Sequence, residues 1–102
     1  MNCPELSQED CDFMEEKFSQ IKQFYFNDCK LRSLDRLPHF PNVIKIEMCS
    51  NKIKTGLGNF ARYPMLSSLK LRTNRIDSFD ELKNLNAVKL LTEIDLVGNP
   101  IV

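Results

Sequence analysis

Side chains able to do covalent or metal chemistry are few and scattered along this chain. His39 is the only histidine, so a cysteine–histidine pair would have to use it. The four cysteines, Cys3, Cys11, Cys29 and Cys49, include no Cys-x-x-Cys pair and no histidine at ligand spacing, which argues against a zinc site. There is no Gly-x-Ser-x-Gly elbow and no phosphate-cradling glycine loop, with three glycines in all. The carboxylates are numerous, yet none of their spacings singles out an acid–base pair. The expectation is a chain that is not an enzyme and carries no cofactor and no metal. What remains is non-covalent recognition. One row of candidate residues is Gln23, Lys45, Ser68 and Glu93, and the next is Tyr25, Glu47, Lys70 and Asp95. Arg72 follows, in a row with Asn27, Cys49 and Val97, and after it come Asp28, Ser50, Thr73 and Gly98. Lys30, Lys52 and Arg75 make a further, basic column. Tyr25 supplies an aromatic anchor and Arg72 a bidentate donor to an acidic partner.

Such rows exist only if a repeating backbone stacks them. Leu66, Leu69, Leu71, Asn74 and Ile76 spell L-x-x-L-x-L-x-x-N-x-I, the core of a leucine-rich repeat. Val43, Ile46, Met48, Asn51 and Ile53 repeat it upstream, and Leu91, Ile94, Leu96, Asn99 and Ile101 downstream. Ile21, Phe24, Phe26, Cys29 and Leu31 form a fourth copy with cysteine in the asparagine slot. The copies start at 21, 43, 66 and 91, intervals of 22, 23 and 25 residues, inside the range of this repeat class. The L-x-x-L-x-L half predicts a short parallel strand with its leucine-type residues inward and the intervening residues on a concave face. Asn51, Asn74 and Asn99 are expected to satisfy backbone groups of the turns that no neighbouring strand reaches.

The return segments form the convex side. Leu34, Leu37 and Phe40 serve the first, and Leu57, Phe60 and Tyr63 the second, which Gly56 and Gly58 make a loop or short 3₁₀ turn. Phe79, Leu82, Leu85 and Val88 read as a helical pattern in the third, started by Ser78 or Asp80. Residues 1–20 break the repeat and predict a helical cap. Ser7 is its N-cap, Leu6 and Cys11 its staple, and Cys11, Met14 and Phe18 its apolar face with Phe13 beside it.

The whole is one domain over 1–102: an α/β leucine-rich-repeat solenoid with a short curved parallel sheet. Lys plus Arg equals Asp plus Glu at 14 each. With Tyr25 the one aromatic on the face, nucleic acid ranks well behind protein as the ligand. No stretch approaches a membrane span. Met1 to Leu6 has neither a basic start nor an apolar run and does not read as a secretory signal. The cysteines are therefore expected as reduced thiols, with Cys29 and Cys11 in the core. Asn99-Pro100-Ile101-Val102 completes the strand-and-turn half of the last repeat. A continuing chain or a second copy, making a homo-oligomer, is expected to cover that end.

In this register the chain resembles the acidic nuclear phosphoprotein group of small intracellular leucine-rich proteins. The resemblance lies in residues 21–29, 51–57 and 66–94, the 25-residue third interval and the early Gly56-Leu57 step. It covers about Ile21 to Val102. The spliceosomal A-prime protein, with an Asn-Pro turn like Asn99-Pro100, is similar in pattern. So are the regulatory subunit of type-one phosphatase and the repeat domain of the nuclear mRNA export receptor. The resemblance implies an adaptor of nucleus and cytoplasm that binds histones and inhibits type-two phosphatases. A ribonucleoprotein subunit and a phosphatase regulatory scaffold are the alternatives. The group's acidic tail and the motif that caps its last repeat are not within these 102 residues.

Overall fold

The computed structural model describes residues 8–35 and 37–102. The expected N-cap at Ser7, the staple residue Leu6, and Cys3 lie outside the described residues. Four three-residue strands, β1 (Gln23–Tyr25), β2 (Lys45–Glu47), β3 (Ser68–Lys70) and β4 (Glu93–Asp95), form one parallel sheet in sequence order. Their registers align Phe24, Ile46, Leu69 and Ile94 in one inward row. Because each of the first three strands is followed by a return segment of similar length, neighbours in sequence become neighbours in space.

Backbone pairing runs past the strands. Phe26 N–H donates to Glu47 O, Met48 to Lys70 O and Leu71 to Asp95 O, at 2.8, 2.9 and 2.8 Å. The chain then turns at Asp28, Ser50, Thr73 and Gly98, all with φ between 54° and 84°. At Gly98 a glycine is favoured on a second ground. A Cβ there would lie 3.2 Å from the Thr73 nitrogen and 3.3 Å from its Cα. The residues expected as a fourth concave row are thus left-handed turn positions, and the flat part of the face is the strand residues themselves.

Buried side chains fill the space between sheet and return segments. Phe40, Val43, Ile46, Met48, Ile53, Leu57, Phe60, Leu66, Leu69, Leu71 and Ile76 have no measurable exposure. Among its described residues the first return segment has no regular helix, but it buries Leu34, Leu37 and Phe40 as expected. The second is the 3₁₀ segment Leu57–Arg62. The third is a short helix, α2 (Phe79–Lys83), followed by a 3₁₀ turn, Asn84–Ala87. Ser78 caps α2, its Oγ accepting from Asp80 N–H at 3.2 Å.

Two apolar expectations are corrected. Phe79 is 70% exposed rather than inward, since it opens α2 at the side of the last return segment that no described residue covers. Phe18 is 46% exposed at the carboxyl-terminal end of α1 (Gln8–Lys17), although its N–H still donates to Met14 O at 2.8 Å. It packs edge-on to Phe13 instead, with ring centroids 6.4 Å apart. Cys11 is buried and Met14 packs on the core, so α1 still lays an apolar edge against the first repeat. Glu15 Oε1 ties α1 to the first return segment by accepting from His39 N–H at 2.6 Å.

The return segments are joined by side chains that reach back one repeat. Tyr63 Oη donates to Pro38 O at 2.6 Å, Arg62 Nη2 to Asp35 O at 3.3 Å, and Glu81 Oε1 accepts from Leu57 N–H at 3.2 Å. Burial pushes the Tyr63 phenol well above the usual tyrosine range, a shift that Arg62 partly opposes, so it stays a donor.

Candidate functional site

The strand registers assemble the two predicted rows. Gln23 pairs with Lys45, Lys45 with Ser68 and Ser68 with Glu93; Tyr25 pairs with Glu47, Glu47 with Lys70 and Lys70 with Asp95. Neighbouring strands sit roughly 4.8 Å apart. Eight of the nine candidate residues therefore occupy one side of the sheet, and Arg72 stands just beyond β3.

Many of these groups already hold one another. Lys45 Nζ lies 3.5 Å from Glu47 Oε2 and 5.8 Å from the centre of the Tyr25 ring. Tyr25 Oη donates to Gln23 Oε1 at 2.5 Å, and Ser68 Oγ to Glu93 Oε1 at 3.2 Å. Arg72 Nε is 3.6 Å from Asp95 Oδ2. The pattern of repeats presents Arg72 as a donor waiting for an acidic partner; in the fold it has an acid beside it from the next repeat. An exposed pair of this kind contributes only about 0–1 kcal/mol, so a partner's carboxylate can displace it at small cost. Lys70 makes no ion pair among the described residues. Tyr25 is 52% exposed and Val97 likewise 52%. The face thus offers an aromatic at one end, an apolar residue at the other and a cation between them. Val97 was placed in a row but not singled out from sequence; its exposure depends on β4 having no described neighbour on its far side.

Behind the face, the asparagines form a ladder with a direction. Asn51 Oδ1 accepts from Cys29 and Leu31 N–H, and its Nδ2 donates to Phe26 O at 2.8 Å. Asn74 serves Ile53 N–H and Met48 O at 3.2 and 2.8 Å, and Asn99 serves Ile76 N–H and Leu71 O at 3.1 and 2.7 Å. Each asparagine satisfies the repeat before it. That explains Cys29: the first repeat has no predecessor to serve, so its slot needs volume and no amide. Cys29 is buried and disulfide-bonded, whereas Cys11 and Cys49 are thiols. This corrects the expectation of four reduced thiols. The first turn is the one whose ladder slot holds a sulfur in place of an amide, and no preceding strand lies against it among the described residues.

No protein-family model matches the chain. A protein named as a histone, from Tetrahymena thermophila, is 32% identical over 88 residues, 85% of this chain and 23% of that protein. Acidic leucine-rich nuclear phosphoprotein 32 family member A is 30% identical over 84 residues in both Drosophila pseudoobscura pseudoobscura and Drosophila melanogaster. Those matches cover 82% of this chain and 32% of each relative. A chain in the crystal structure of the Drosophila melanogaster SNF/U2A' complex superposes with a TM-score of 0.74 at 26% identity. The superposition covers 99% of this chain and 55% of that one. The chain thus spans about a quarter to a third of the length of these curated relatives. The ladder, the four-stranded parallel sheet and these likenesses agree: the chain is a leucine-rich-repeat protein that resembles the acidic leucine-rich nuclear phosphoproteins.

Proposed function

We propose that the chain is a single solenoid domain, closed at its first end by α1, and a non-catalytic module that binds another protein on its concave face. The observation that carries this reading is the side-by-side register of Gln23, Lys45, Ser68 and Glu93 with Tyr25, Glu47, Lys70 and Asp95. That register makes a continuous polar surface with an exposed aromatic and an uncommitted cation at Lys70. Interfaces of this kind concentrate their energy in a few such anchors. An intracellular setting, in nucleus or cytoplasm, accords with relatives named for the nucleus.

Two partner classes follow from separate observations. A histone accords with the relative named as a histone, and its basic surface would meet Glu47, Glu93 and Asp95. A ribonucleoprotein component accords with the structural neighbour, a chain of the SNF/U2A' complex. A phosphatase subunit is the third class to score. A homo-oligomer through β4 is the weaker arrangement. Two-fold antiparallel pairing centred on Ile94 would set Glu93 of one copy against Asp95 of the other, and directly opposed like charges destabilise a sheet.

Capture of proteins from nuclear and cytoplasmic extract by the immobilised chain tests the reading. Histones, ribonucleoprotein components and phosphatase subunits are scored by mass spectrometry. Specific enrichment of one class, competed by free chain, is the expected outcome; enrichment of none of the three contradicts it.

A further inference from the structure

A second charged surface lies outside the concave face, at the turns that follow the ladder slots. Lys30, Lys52 and Arg75 each come one residue after Cys29, Asn51 and Asn74. Their stacking is held by the backbone: Lys52 N–H donates to Leu31 O and Arg75 N–H to Ile53 O, both at 2.8 Å. Three repeats at a pitch of roughly 4.8 Å place these cations along a strip about 10 Å long. Arg32 stands beside it. Lys45, Lys54, Arg72 and Lys83 all have carboxylate partners, but Lys30, Arg32, Lys52 and Arg75 have none among the described residues. The repulsion is felt at Lys52, whose pKa is lowered, first by Arg32, then by partial desolvation, then by Arg75 and Lys30. In a chain of zero net charge, this is a concentration of positive charge that the fold itself does not neutralise.

We propose that the Lys30–Lys52–Arg75 strip, flanked by Arg32, docks an extended acidic peptide through a run of its carboxylates. A strip rather than a convergent nest fits a linear polyanion and not one small ion, because successive lysines and arginines are a strand pitch apart. Three extended peptide residues span a comparable length. Nucleic acid is disfavoured because, among the described residues, none of these four cations lies over an aromatic ring, and single-stranded bases gain much of their binding from stacking on rings. The exposed aromatic of the strand rows, Tyr25, sits on the concave face. Carboxylates need no ring, and an anion over the half-exposed Lys52 at the centre of the strip relieves the repulsion of its three neighbours.

The test uses the whole chain and a fluorescein-labelled octaglutamate peptide, read by fluorescence anisotropy at low and at physiological salt. Saturable, salt-weakened binding is expected, at least about tenfold weaker in Lys30→Glu/Lys52→Glu/Arg75→Glu. A milder Lys30→Gln/Lys52→Gln/Arg75→Gln variant keeps the test valid should charge reversal disturb folding, and it too must bind more weakly. Octathymidylate and inorganic phosphate are run alongside. Absent octaglutamate binding, binding unchanged in both variants, or tighter binding of octathymidylate or phosphate would each overturn the proposal.

Discussion

Asn74→Ala is expected to destabilise the chain by about 3 kcal/mol or more, because it strands two backbone groups at once. Ile53 N–H loses its acceptor Oδ1, and Met48 O loses the Nδ2 donor at 2.8 Å. The same Nδ2 also bonds Leu71 O and Arg72 O in its own turn. The residue is buried and central, with repeats on both sides, so water has poor access to the freed groups. Each buried unsatisfied group costs about 1–3 kcal/mol, against a total stability of about 5–15 kcal/mol for a small protein. The melting temperature should fall by about 10 °C or more. Asn27→Ala is the matched comparison, since Asn27 Oδ1 also accepts a backbone bond, from Cys49 N–H at 2.7 Å, but at an exposed position. It should cost no more than about 1 kcal/mol. Equal losses at the two positions would show that the ladder is not what orders the turns.

Ile46→Ala should cost about 2–5 kcal/mol, and Ile94→Ala clearly less. The two isoleucines occupy the same inward row, two strands apart. Ile46 is fully buried between neighbouring strands, whereas Ile94 is 41% exposed. It lines an open groove of about 370 Å³ with Leu82, Leu85, Val88, Leu91 and Leu96. Truncating Ile46 leaves a cavity with packed walls. Truncating Ile94 enlarges a space that is already open, and only part of its surface was removed from water in the first place. Denaturant midpoints at constant slope report the difference directly. A loss at Ile94 as large as that at Ile46 would mean that the last repeat is packed as tightly as the centre.

What could be read from the residues is what the repeat determines at every copy. The spacing of Leu66, Leu69, Leu71 and Asn74 recurs with inward apolar positions, and inward alternation leaves one register open to each strand. The rows built on Gln23 and Tyr25 therefore came out residue by residue. What could not be read is what depends on the particular neighbour. The ladder's direction, each asparagine serving the preceding repeat, is a property of how the repeats stack and not of the spacing. The Arg72–Asp95 pair arises from side chains 23 positions apart whose reach no pattern encodes. Phe79 and Phe18 carry the right spacing for burial but stand where no further described element lies over them. The left-handed turn at Asp28, Ser50 and Thr73 was hidden because those positions hold φ near 55° without a glycine to announce it.

The proposed binding face is tested most directly by Tyr25→Ala/Lys70→Ala/Arg72→Ala in the capture experiment, with the melting temperature measured on the same preparation. All three side chains are exposed or half-exposed, and none contributes to the buried core. Partner capture should be abolished while the melting temperature moves by no more than a few degrees. Capture undiminished in a variant that melts normally would contradict binding through this face.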